Sequence, residues 1–177
     1  MKDLFVLTAD ADMKAVFEAI LRRPEALGIR PIDSFVDRHL WRDPGVFSKG
    51  PEFIRRTIPK NDYRHFILAF DHDGSGCKKA PDECAGTVQE RLDSFTFTGR
   101  SAVIVITPEL EEWLWRDPST IPGIGTVSDP KERLRQVFRR KPLPRDFDQI
   151  ATRADLDAWN SSPSFRFLKT TLQNWFQ

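Results

Sequence analysis

The residues best suited to chemistry are carboxylates, and they recur where apolar runs end. Asp10 and Asp12 follow the run around LFVLTA, Asp71 and Asp73 follow HFILAF, and Glu109, Glu111 and Glu112 follow SAVIVIT. In an extended chain side chains alternate, so the two carboxylates of Asp71-His72-Asp73 would point to the same side. Like charges held about 5 Å apart repel by roughly 3 kcal/mol at an effective dielectric near 20, so the pair invites a shared proton or a cation. Oxygen-only ligands beside a glycine-bearing loop, DHDGSG, favour magnesium or manganese over zinc. These residues also have a structural reading. A strand-end aspartate forms turns and helix caps, and a glutamate in a first helical turn meets the helix dipole favourably, by about 0.3–1 kcal/mol.

The elements that must position these acids follow from periodicity. Asp3 to Thr8 reads as a strand. It runs into a helix whose Met13, Val16, Phe17, Ile20 and Leu21 share a face, with Asp10 or Asp12 as cap and Pro24 and Gly28 as stop. Ile32 to His39 is a weaker strand, followed by turn chemistry at Asp43-Pro44-Gly45 and two helical turns over Pro51 to Ile58. His65 to Asp71 and Ser101 to Thr107 are continuous apolar runs of the kind found in strands covered on both faces. Between them Pro81 and Asp82 open a helix, and after the second run Pro108 is placed to open another, ELEEWLW. The alternation predicts an α/β fold, a compact and mainly parallel sheet of about four strands flanked by helices. From Asp129 onward only helical periodicity remains, in three segments beyond the loop Asp117 to Asp129. The expectation is one domain over 1–177, with an α/β core at 1–116 and a helical extension at 129–177 packed on it, because about 60 residues hold too little core to stand alone.

Composition narrows the class. The 177 residues, 40% hydrophobic and 30% charged, belong to a globular chain, and no apolar run approaches the roughly 20 residues that span a bilayer. Two cysteines, Cys77 and Cys84, and an N-terminus without an apolar signal core agree with a reducing cytoplasm and no membrane partner. His72, Cys77 and Cys84 match no standard zinc spacing. Trp113 reads as core, whereas Trp115 projects to a different face.

The net charge of +1 conceals a division. Residues 1–112 hold 16 bases and 19 acids, a balance of −3, and 113–177 hold 11 bases and 7 acids, a balance of +4. Lys131, Arg133, Arg135, Arg139, Arg140, Lys141 and Arg145 fall close together against the single acid Glu132. With Leu134, Val137 and Phe138 facing inward, such a stripe matches the phosphates of a nucleic acid, DNA or RNA, and Lys131, Arg135, Arg139 and Arg140 are its candidate contacts. A solvated helix face is the structural alternative.

Taken in order, LTADAD, ILAFDHDG and VIVITPELEEWLW resemble the three motifs of the Toprim-like family. More specifically they resemble the small Toprim-related proteins of bacterial phage-defence clusters, akin to the overcoming-lysogenization-defect nucleases. FDQIATRADLDAW and PSFRFLKTTL are similar to the helical tail of these proteins, so the resemblance covers nearly the whole chain. It implies a component of an antiviral defence system, acting with other defence proteins, that cleaves phosphodiester bonds with magnesium or manganese. Asp71 and Asp73 take the place of the metal-binding pair, Glu111, with Glu109 as alternate, that of the later acid, and Asp12 that of the aspartate after the first motif. The chain departs from the pattern at Thr8, where the family carries a catalytic glutamate. Asp10 is the candidate substitute, and a catalytically degenerate subunit that binds nucleic acid or a partner protein is the alternative. FDHDGSG also fits a phosphatase of the haloacid dehalogenase class, with Asp71 as nucleophile and Asp73 as general acid.

Overall fold

The structure, a computed structural model, describes residues 1–59, 61–121 and 128–177, so the expected loop Asp117 to Asp129 lies partly outside the described residues. The apolar runs form four strands, Lys2–Thr8 (β1), Ser34–Arg38 (β2), Tyr63–Asp71 (β3) and Ser101–Ile106 (β4). They make one parallel sheet in the order β2-β1-β3-β4. Leu4 to Leu7 of β1 and Phe66 to Phe70 of β3 are fully buried, as unalternating apolar strands at the centre of a parallel sheet must be.

Topology then decides where helices go. A right-handed crossover from β1 to β2 and another from β3 to β4 step in opposite directions along the sheet. They place Ala11–Leu21 (α1) and Pro81–Ser94 (α4) on opposite faces. The strand order therefore reverses between β1 and β3, and in open α/β sheets the crevice outside the carboxyl ends at such a point is where ligands bind. Thr8 pairs with Ala69. Asp10 and Asp71 thus each lie two residues further along neighbouring strands, at the mouth of that crevice.

Two connections differ from the sequence expectation. Asp43-Pro44-Gly45 is the first turn of a long helix, Arg42–Thr57 (α3), rather than a turn before a short one. Proline is tolerated there because the first amides of a helix have no intrahelical partner. Gly45 and Gly50 let α3 approach closely: a Cβ on Gly45 would lie 2.2 Å from His39 Nδ1, and one on Gly50 would lie 2.8 Å from Leu68 Cδ2. Pro108 does not open the next helix, which runs over Glu111–Trp115 (α5). Instead the Pro108 carbonyl accepts from the Asp73 amide at 3.1 Å and ties the loops after β3 and β4 together.

The tail is helical, with a short fourth segment beyond the three expected: Pro130–Phe138 (α6), Pro144–Arg153 (α7), Leu156–Trp159 (α8) and Pro163–Phe176 (α9). Trp113 of α5 joins tail to core, with ring centroids 5.7 Å from Phe17, 5.9 Å from Trp159 and 5.2 Å from Phe165. Trp175 stacks on His65 of β3 at 4.3 Å. Cys77 and Cys84 are joined in a disulfide that pins the loop after β3 to the start of α4. The bond removes both from any zinc set. Among the described residues no helix is long and apolar enough to cross a membrane.

Candidate functional site

A cleft of about 240 Å³ opens at the point where the strand order reverses. Asp10 and Asp12 enter it from the start of α1, Asp71 from the end of β3 and Glu111 from α5. The same cleft is lined by Arg42, which begins α3 with φ 52°, by Lys131 and Arg135 of α6, and by Lys141. The sheet and its following helices supply the acids, and the helical tail supplies most of the bases. The charge division read from the sequence is here folded onto itself.

Asp71 is the most constrained of these groups. Its amide donates to Asp43 Oδ1 at 2.7 Å, which fixes the end of β3 against α3. Its own Oδ1 is shut off from solvent and has no hydrogen-bond partner. Burial first, and then the charges of Asp43, Glu111, Asp10 and Glu109, push its carboxyl up to about 9. Burial likewise raises Glu111 to about 7 and Asp12 to about 6, Asp12 with the Asp10 charge adding to it. Asp43 is raised by burial and by Asp10. A set of carboxyls that all resist ionisation together is poised for a proton or a cation.

The other candidates divide. Asp10 is partly engaged: its Oδ1 accepts from the Met13 amide at 2.9 Å as the cap of α1. Glu109 forms an ion pair with Lys131 at 2.6 Å. Burial works against the Lys131 ammonium, but that hydrogen bond and the charges of Glu111, Glu109 and Asp71 raise it overall. Asp73 is not brought to the cleft. The strand ends at Asp71, the Ser75 amide turns back to the His72 carbonyl, Gly74 takes φ 92°, and the Asp73 side chain is left 62% exposed. The expectation that Asp71 and Asp73 share a side fails because the chain stops being extended between them. The phosphatase pairing, which needs both in one pocket, loses its second member.

The basic stripe is also broken up. Leu134 faces inward, but Val137 is exposed, and α6 ends at Phe138 with Arg139 in the left-handed region at φ 52°. Arg140 makes two hydrogen bonds to the buried Asp146, at 2.6 and 2.9 Å, and so braces the turn into α7. Lys131 and Arg135 remain at the cleft, joined by Lys141. Arg42 and Asp43 are not among the sequence candidates: Asp43 belongs to the turn-like Asp43-Pro44-Gly45, and Arg42 stands just before it. The one signal for them was two charged residues directly before a proline at the head of an amphipathic stretch.

At the end of β1 Thr8 is fully buried, and its hydroxyl donates to the Asp37 carbonyl at 3.0 Å. The Thr8 side chain thus ties the end of β1 to β2. Asp71, with an orphaned and desolvated oxygen, lines the cleft together with Asp10, Asp12 and Glu111, and carboxylate oxygens are the donors that a hard divalent cation takes. Among the described residues no three His, Cys, Asp or Glu side chains form a ready-made metal-binding group. Comparison with family models, with curated proteins and with solved structures gives no match.

Proposed function

We propose that this protein is a Toprim-like enzyme that cleaves phosphodiester bonds of nucleic acid with the help of magnesium or manganese, as one component of an antiviral defence system. The observation that carries the chemistry is the Asp71 carboxyl at the crevice between β1 and β3, with Oδ1 desolvated and unpartnered, in a cleft that Asp10, Asp12 and Glu111 also line. The role in defence rests on the resemblance of the three motifs and the tail. Asp71, with Asp10 and Asp12 beside it, would hold the cation. When bound, the ion supplies charge neutralisation at the phosphoryl oxygens and polarises the phosphorus–oxygen bonds.

The chain's own groups account for the remainder. Lys131, Arg135, Arg42 and Lys141 set positive charge around the place of the phosphate, where it offsets negative charge developing on the transferred group. Glu111, with its carboxyl raised to about 7, holds or releases a proton near neutral pH. That is the requirement for taking a proton from water or giving one to the leaving oxygen, and it substitutes for the group that Thr8 does not provide.

The test is incubation of single- and double-stranded DNA and RNA with manganese, magnesium or chelator. The expected result is metal-dependent cleavage that falls about 10²-fold or more in both Asp71→Asn and Glu111→Gln. A second reading, a degenerate subunit that binds nucleic acid without cutting it, is favoured by the structural use of the Thr8 hydroxyl. Binding that persists with no cleavage under any metal supports it and refutes the enzyme.

A further inference from the structure

A second pocket, of about 360 Å³, adjoins the cleft and shares Glu111 and Lys131 with it. Its distinguishing residue is Trp115. Trp113 and Trp115 are two positions apart on α5, a rotation of about 200° that sends them to opposite sides of the helix. Trp113 is buried among three aromatic rings, while Trp115 is half-buried and borders this pocket.

Glu112 lies beside it. One of its oxygens is engaged by Arg116, whose Nε donates at 2.6 Å. The other, Oε2, is shut off from solvent without a hydrogen-bond partner. The pocket is therefore lined by an aromatic residue, by a carboxylate with one oxygen unsatisfied and by Lys131, a cation that also lines the cleft.

We infer that this pocket takes a nucleobase: the base stacks on Trp115, the Glu112 carboxylate turns to meet a donor on its edge, and its phosphate extends past Lys131 into the cleft. Stacking on an indole is tolerant of base identity, since every base has a π face. The Glu112 acceptor adds a preference for a base with amino or ring N–H donors on one edge, of which guanine is the fullest case. The pocket assignment deepens the proposed function and rests on it for the direction of the phosphate. The substrate becomes a nucleotide unit read by its base as well as by its charge.

Separate probes examine the two halves. Guanosine, which has no phosphate, reports on the pocket, and ribose 5-phosphate, which has no base, reports on the cleft; both are titrated calorimetrically against the full chain. Guanosine binding is expected to weaken about tenfold in Trp115→Leu and to stay within about threefold in Trp115→Phe. Ribose 5-phosphate should be indifferent to both variants and weakened by Arg135→Ala. Should Trp115→Leu not fold, Glu112→Gln serves, with guanosine again expected to weaken. Guanosine that does not bind, or that binds these variants as tightly as the parent protein, overturns the pocket assignment even where ribose 5-phosphate binds. Loss of guanosine in Trp115→Leu together with no binding of ribose 5-phosphate overturns the cleft reading and upholds the pocket.

Discussion

Asp71 and Asp146 are both aspartates withdrawn from water, both stand near the bases of the helical tail, and the protein treats them in opposite ways. Asp146 receives two hydrogen bonds from Arg140 and one from the Leu143 amide at 2.7 Å. The Arg140 guanidinium accordingly holds its carboxyl below the usual carboxylate range. Asp71 is surrounded by other acids and keeps an oxygen without a partner, so its carboxyl stands far above that range. A carboxylate that serves the fold is fully satisfied by the fold. One left short of partners at the mouth of a crevice marks where something from outside completes the set.

The largest expected effect breaks the satisfied member. Asp146→Ala removes the carboxylate that braces the start of α7 and leaves the Leu143 amide and the Arg140 guanidinium without their acceptor, at a cost of about 2–4 kcal/mol in a urea or thermal unfolding measurement. Because its folded pKa is depressed, the stability that Asp146 contributes is present above pH 3.8 and is lost as pH falls through the folded value.

For Asp71 the sign reverses. The folded chain keeps a proton that the unfolded chain releases near 3.8, so stability falls as pH rises from there toward about 9. Asp71→Asn removes that dependence. Without divalent ions it is expected to stabilise the protein at pH 8 by about 1–3 kcal/mol, and to flatten the pH profile of the unfolding midpoint.

How much of this was legible in the sequence depends on the kind of signal. The four strands and the parallel sheet are readable because β1 and β3 must be apolar throughout to be covered on both faces, whereas the sequence leaves the cap of α1 open between Asp10 and Asp12. The same continuity located Asp71 correctly. Asp73 was misplaced because alternation holds only while the chain stays extended, and the turn at Gly74 ends it. Arg140 was read as a surface charge because its partner Asp146 lies in the next helix, and a pairing between elements has no local signature. Asp43 was hidden in a turn-like tripeptide whose helical fate was decided by packing, through the close approach of Gly45 and Gly50 to neighbouring side chains.

A smaller effect sharpens the contrast within the basic run. Arg140→Ala should destabilise the fold through Asp146, whereas Arg139→Ala is expected to change stability by no more than about 0.5 kcal/mol, since Arg139 caps α6 in the same left-handed conformation that alanine would occupy. If Arg139 contacts a phosphate, its removal lowers the slope of log affinity against log salt for duplex DNA by about 0.9. An unchanged slope takes Arg139 out of the interface.

The central claim is that the unsatisfied Asp71 carboxyl is completed by a divalent cation. The direct measurement is the unfolding midpoint with and without manganese for the parent protein, Asp71→Asn and Asp73→Asn. A hundredfold excess over Kd should stabilise the parent by about 2.7 kcal/mol, a rise of several degrees, and Asp73→Asn should behave in the same way. Asp71→Asn should show no rise. A parent protein indifferent to manganese, or an Asp71→Asn variant that responds as strongly as the parent, would contradict the account.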